Sequence, residues 1–167
     1  PPEDVRELLG LIDRPDRPTR IGTATIRFGD PVRGIATSGR HGRSFSFGIA
    51  DAVTVLAADA PSADAAATLL GNAVDLPFHP GIERVAACEL LRASALCARP
   101  VTRGVPALAD GEIATALAAG LALAGRLRAR GLIAGAALHL QGRTAMLDMP
   151  DAAPRLRDEL QKRMAHG

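Results

Sequence analysis

The chain of 167 residues contains no Trp, no Tyr and only four Phe. That absence removes the aromatic platforms on which single-stranded nucleic acids stack their bases. A core must then be built from Ala, Leu, Val and Ile. Charge of one sign is scarce as well, since 20 basic residues against 18 acidic ones leave a formal net charge of +2. No basic tract is dense enough to mark a DNA or RNA surface, and the scattered Arg residues read as solvated surface. Cysteine is limited to Cys88 and Cys97, neither at metal-ligand spacing and each in an apolar or helical context. Buried thiols suit a reducing compartment, so the cytoplasm is the expected location. No signal peptide is visible. The longest nearly apolar run, Ile113 to Gly125, falls short of the ~20 residues a membrane span requires. Arg126, Arg128 and Arg130 follow it at once, so it reads as a buried helix. Neither nucleic acid nor membrane is an expected partner.

What is present is a hydrophobic fraction of 47%, which excludes a disordered chain. The length suits one domain with a substantial core. Strands are expected at Val5–Ile12, where a helical turn is also allowed, and at Arg20–Phe28, where β-branched residues are frequent. Gly29-Asp30-Pro31 is a turn, so Val32–Ser38 should pair back as a hairpin. Gly39–Gly48 is a Gly-, Ser- and Arg-rich loop, and Ala52–Ala57 is a compact buried strand. Ser62 is a good N-cap for a helix to about Ala73. A loop with Pro77, Pro80 and Gly81 precedes a helix over Ile82–Arg92, and Cys97–Val105 is irregular or a short strand. A long helix covers Gly111–Arg130, stopped by Gly131. Leu132–Gln141 and Arg143–Asp148 form strands across a Gln141-Gly142 turn. Asp151–Ala165 is a polar terminal helix.

This order makes the fold α+β, a mixed or antiparallel sheet packed with helices, rather than a repeating βαβ pattern. Residues 1–150 form one domain and 151–167 a tail. The chain starts almost at once on a strand that has no partner yet. A missing amino-terminal portion or a partner subunit would account for that, as would an ordinary small domain. A homo-oligomer is expected.

Three pieces carry candidate chemistry. Asp64 and Thr68 stand at i and i+4 near a helix start, so they share one face about a turn apart. A carboxylate and a hydroxyl placed so can hold two positions on Mg²⁺, which keeps waters or substrate phosphates for the rest. An Asp complementing the helix dipole explains the same pattern. Thr37-Ser38-Gly39-Arg40-His41-Gly42-Arg43-Ser44 follows a strand and offers amides, hydroxyls and guanidinium groups to a phosphate. A Gly-rich turn with exposed Arg explains it equally well. Neither a P-loop nor a dinucleotide fingerprint is present. A hydrolase triad from Ser38 or Ser44 with His41 and Asp51 is a third reading, but no G-x-S-x-G elbow supports it. His41, His79, His139 and His166 are far apart, with no zinc spacing.

Taken in order, Ala36-Thr37-Ser38-Gly39, Ala52-Val53-Thr54-Val55 and Ala63-Asp64-Ala65-Ala66-Ala67-Thr68 resemble the ApbE superfamily, Mg²⁺-dependent enzymes that move FMN from FAD onto a protein Thr. The resemblance implies a T-fold-related architecture, of which this chain matches the carboxy-terminal part. It implies Asp64 and Thr68 as Mg²⁺ ligands. It further implies a flavin site, for FAD or FMN, drawing on Thr37, Ser38, Gly39, Arg40, His41, Ser44 and Asp51. The departure lies between the first two motifs. The family has an H-I-x-D-P-x-T-G loop there, and this chain has Ser46-Phe47-Gly48-Ile49-Ala50-Asp51, without the His or the P-x-T-G. That pattern is similar to an uncharacterised branch of ApbE-like proteins, through Arg130–Ala136 and Leu140-Gln141-Gly142. Members of that branch are longer and carry amino-terminal motifs without a counterpart here. The resemblance therefore implies binding of a phosphate-bearing cofactor with Mg²⁺, with nucleotidyl or FMN transfer if the site is active. The alternative is a non-catalytic binding or assembly module.

Overall fold

The computed structural model describes residues 4–14, 17–27, 29–42, 45–90 and 99–148. In chain order these form β1 (Asp4–Arg14), β2 (Arg17–Arg27), β3 (Gly34–Ser38), β4 (Ala52–Ala57), α1 (Ala60–Ala73), β5 (Glu83–Ala86), α2 (Ala87–Leu90), β6 (Pro100–Gly104), α3 (Asp110–Ala129), β7 (Gly135–Leu140) and β8 (Arg143–Leu147). The fold is α+β, with antiparallel sheets packed against helices. The expected tail at 151–167, Ser44 and Cys97 lie outside the described residues.

The central sheet has the order β3-β4-β7-β8 and is antiparallel throughout. Every residue of β4 is buried, as its central place requires. Side chains alternate between faces along a strand. Val53 and Val55 therefore join Ala136, Leu138 and Leu140 in one core with Leu70 of α1 and with Ala116 and Leu117 of α3. Leu56 points the other way, into a second cluster with Val32 that Ile26, Ile35 and Ala134 border. With no large aromatic in this core, small residues set the spacing. Gly120 of α3 sits so close to the sheet that a Cβ there would lie 2.4 Å from Leu138 Cδ2 and 2.5 Å from Val74 Cγ2.

The two-residue connection of β7 and β8 works because Gln141 and Gly142 both take positive φ, 43° and 82°. That is the twist a tight hairpin needs. α3 ends as expected, with Gly131 at φ +70° just beyond its Arg130 cap.

Four expectations are corrected. β2 pairs with β1 rather than with β3, and β3 pairs with β4. The first strand therefore has its partner within the chain. The cap of α1 is Asp59, whose carboxylate accepts from Ser62 N at 2.7 Å, and not Ser62 itself. The expected helix from Ile82 is strand β5, paired with β6, before the short α2. Tertiary bonds override local propensity there, because Arg84 reaches Asp75, Thr102 and the Phe47 carbonyl. Cys88, expected to be buried, is half-buried. No helix among the described residues is long and apolar enough to cross a membrane.

Candidate functional site

β3 and α1 lie side by side and point the same way. Gly34, at the start of β3, touches the start of α1, since a Cβ there would lie 2.0 Å from Asp59 O. Ser38, at the end of β3, faces Gly71 near the end of α1, with 3.8 Å from Ser38 Oγ to a Cβ built on Gly71. The loop after Ser38 is thus separated from the amino terminus of α1 by the length of β3, roughly 14 Å. The positive end of the helix dipole serves a different place from the Thr37–His41 loop.

That loop closes over Asp51. The Asp51 side chain keeps only 2% of its surface, and a buried carboxylate must be paired. Arg40 supplies the charge, with Nε and Nη2 each 2.7 Å from Oδ1. The Gln141 backbone N–H donates to Oδ2 at 2.6 Å. Backbone bonds fix the frame, from Arg40 N to Ala50 O at 2.9 Å and from Asp51 N to His139 O at 3.0 Å. Gly39 is obligatory at this closure, because a Cβ would lie 2.3 Å from Asp51 O. His41 Nε2 lies 3.3 Å from Asp51 Oδ1 but out of hydrogen-bond alignment, and it has no hydrogen-bond partner among the described residues. The Thr37 and Thr54 hydroxyls bond each other at 2.8 Å across β3 and β4.

The amides of Arg40 and Gly42 are already engaged, the latter by Gly39 O at 3.0 Å. A phosphate at this loop would therefore be met by the Arg40 guanidinium rather than by a full ring of amides, since the Thr37 hydroxyl is turned to Thr54 and Ser38, next along the strand, faces Gly71 on the opposite side of the sheet. The Arg40 side chain retains 22% of its surface for that purpose.

Further polar groups gather at the same end of the sheet. Gln141 uses both amide atoms on the segment before α3, accepting from Leu108 N at 2.9 Å and donating to Pro106 O at 2.6 Å. His79 Nδ1 accepts from Gly81 N at 3.1 Å, so Nε2 carries the proton and donates to Glu112 Oε1 at 3.0 Å. Glu112 Oε2 in turn accepts from Ala109 N at 2.8 Å, which caps α3. His139, deep in β7, bonds Thr144 through Nδ1 at 2.9 Å. Both histidines have structural partners.

Asp64 and Thr68 are exposed on α1. With Gly71 they stand at i, i+4 and i+7, on one stripe that runs toward Ser38. They fit the donor set Mg²⁺ prefers, two hard oxygens with the remaining positions left to waters or ligand phosphates. No group of three or more His, Cys, Asp or Glu among the described residues could hold a metal ion. Any ion on α1 would thus depend on the ligand to complete its shell.

The stretch Ser46–Asp51 is spent on structure. Thr102 N donates to Ser46 O at 2.8 Å and Ile49 N to Val74 O at 2.8 Å. Phe47 donates to Asn72 Oδ1 at 3.0 Å, accepts from Arg84 at 2.6 Å, and lies under the Arg99 guanidinium at 4.4 Å. Sequence reading missed Gln141, Arg84 and Asn72. Gln141 stands 90 residues from Asp51, and no local pattern signals such a contact.

The family model described as AbpE bacteria matches residues 8–146. A UPF0280 protein of Methanococcoides burtonii is 47% identical over 60 residues, which is 35% of this chain and 25% of that protein. The chain spans about a quarter of the length of that curated relative. No solved structure matches.

Proposed function

The chain belongs to the AbpE bacteria family, and from that premise we propose that it is an ApbE-like protein binding a phosphate-bearing flavin nucleotide, FAD or FMN, together with Mg²⁺. The observation that carries the reading is the Arg40–Asp51 pair just beyond the end of β3, where a buried carboxylate holds a partly exposed guanidinium. A guanidinium fixed in this way recognises phosphate without the entropy cost of freezing a free side chain. Asp64 and Thr68 would hold Mg²⁺ from α1. When bound, the ion would neutralise phosphate charge and orient the pyrophosphate. Arg40 would set the register of the nucleotide.

Binding is favoured over transfer. The residues standing where ApbE transferases have their catalytic loop bond α1, β5 and β6 instead. A non-catalytic binding or assembly module is therefore the second reading, and it shares the same ligand site.

An absorbance scan of the purified protein for bound flavin, followed by titration with FAD and Mg²⁺, tests the proposal. A flavin spectrum, or a thermal shift that needs both FAD and Mg²⁺, supports it. Colourless protein with no shift removes it. Asp64→Asn separately tests the metal assignment, which falls if metal-dependent binding is unchanged.

A further inference from the structure

Gln141 is used in full: its backbone N–H and both atoms of its side-chain amide are engaged, and each reaches a different part of the chain. The N–H, at a residue held at φ 43°, donates to Asp51 Oδ2 at 2.6 Å. The side-chain oxygen accepts from Leu108 N at 2.9 Å, and the side-chain nitrogen donates to Pro106 O at 2.6 Å. Asp51 in turn holds Arg40 through two contacts of 2.7 Å. The path from the segment before α3 to the Arg40 guanidinium thus passes through one glutamine and one carboxylate.

We propose that Gln141 is the positioning residue of the ligand site, aiming Arg40 through Asp51 and tying that aim to the 106–108 segment at the mouth of α3. The role rests on the binding site proposed above, but the geometry that defines it is independent of which ligand binds. The positive φ matters because it turns the Gln141 N–H inward onto Asp51 while the side chain turns back across 106–108. Among non-glycine residues, Asn tolerates that backbone best. Gln141→Asn therefore keeps the turn and the inward N–H but is one methylene too short to span Leu108 and Pro106. Gln141→Glu keeps the reach and the acceptor to Leu108 N but has no donor for Pro106 O.

The experiment uses the whole chain and two readouts. The first is the Nε–H signal of Arg40 in an NMR spectrum, assigned by its loss in Arg40→Lys. The second is the dissociation constant for FAD with Mg²⁺. Gln141→Asn is expected to shift or broaden the Arg40 signal and to weaken FAD binding about tenfold, the effect of losing two neutral hydrogen bonds that act through a shared network. Gln141→Glu is expected to fall between wild type and Gln141→Asn on both readouts, and it replaces Gln141→Asn if that variant does not fold. An Arg40 signal unchanged in the folded variant overturns the inference, whatever FAD does. If wild-type protein fails to bind FAD, the flavin reading falls, while the Arg40 signal still decides the role of Gln141.

Discussion

A single carboxylate organises the candidate site. Asp51 is enclosed, and its pairing with Arg40 replaces the solvation it has lost. Removing the partner leaves a buried charge. Arg40→Ala should therefore lower stability by about 3–5 kcal/mol, the usual result of breaking a buried pair from one side. Urea denaturation measures this, with Asp51→Asn as the milder control because it removes the charge along with the need for a partner. Asp59 offers a contrast at the surface. Its carboxylate is held below its ordinary value of 3.8, first by the hydrogen bond from the Ser62 backbone and then by the Ser62 side chain. A depressed carboxylate stabilises the fold above its unfolded value and loses that contribution as pH falls through the folded one. Asp59→Ala should lower the melting temperature at neutral pH, and the gap from wild type should close below about 3.8. Thermal melts by circular dichroism across that range check the sign.

Elements differ in how plainly the sequence announces them. α3 was legible because its Ala and Leu run has acidic residues at one end, basic ones at the other and Gly131 beyond. The Gln141-Gly142 turn was legible for its glycine. Strand pairing was not. Gly29-Asp30-Pro31 made β2 and β3 look like a hairpin, and the small Gly22 and Ala24 blurred the alternation that sets register. At β5 the Glu, Ala and Leu content favours helix locally, whereas Arg84 is bound to groups 9 and 37 residues away, which no local pattern signals. The loop from Ser46 to Asp51 shows the same limit, since its role is defined by partners in α1 and β6. A Cβ on Gly48 would lie 2.2 Å from Gly71 O and 2.8 Å from Val74 O, both backbone atoms that cannot swing away. Gly48→Ala should cost roughly 1–3 kcal/mol or more as the loop is pushed from α1. Denaturant midpoints give the size, and loss of protection at the Ile49 amide gives the location.

At the scale of the molecule, the polar groups collect at one end of the sheet, where β3 ends, β4 begins and the β7–β8 turn lies. Asp64 and Thr68 stand exposed on α1, with Asp64 in the half of the helix whose start lies against Gly34 at the other end of β3. The ordered motifs that led to the site were legible in the sequence, because each is local. Their convergence was not, because it depends on the sheet order β3-β4-β7-β8, which brings Gln141 to Asp51. As proposed above, this end of the molecule binds a flavin nucleotide with Mg²⁺ through Arg40 held by Asp51. Calorimetric titration of FAD into wild type and Asp51→Asn, with Mg²⁺ and with chelator, tests it most directly. Binding to wild type should be saturable, require Mg²⁺ and be weakened about tenfold or more in Asp51→Asn, the scale of losing a charge-assisted contact. No heat of binding in wild type with Mg²⁺, or equal binding by both proteins, would contradict it.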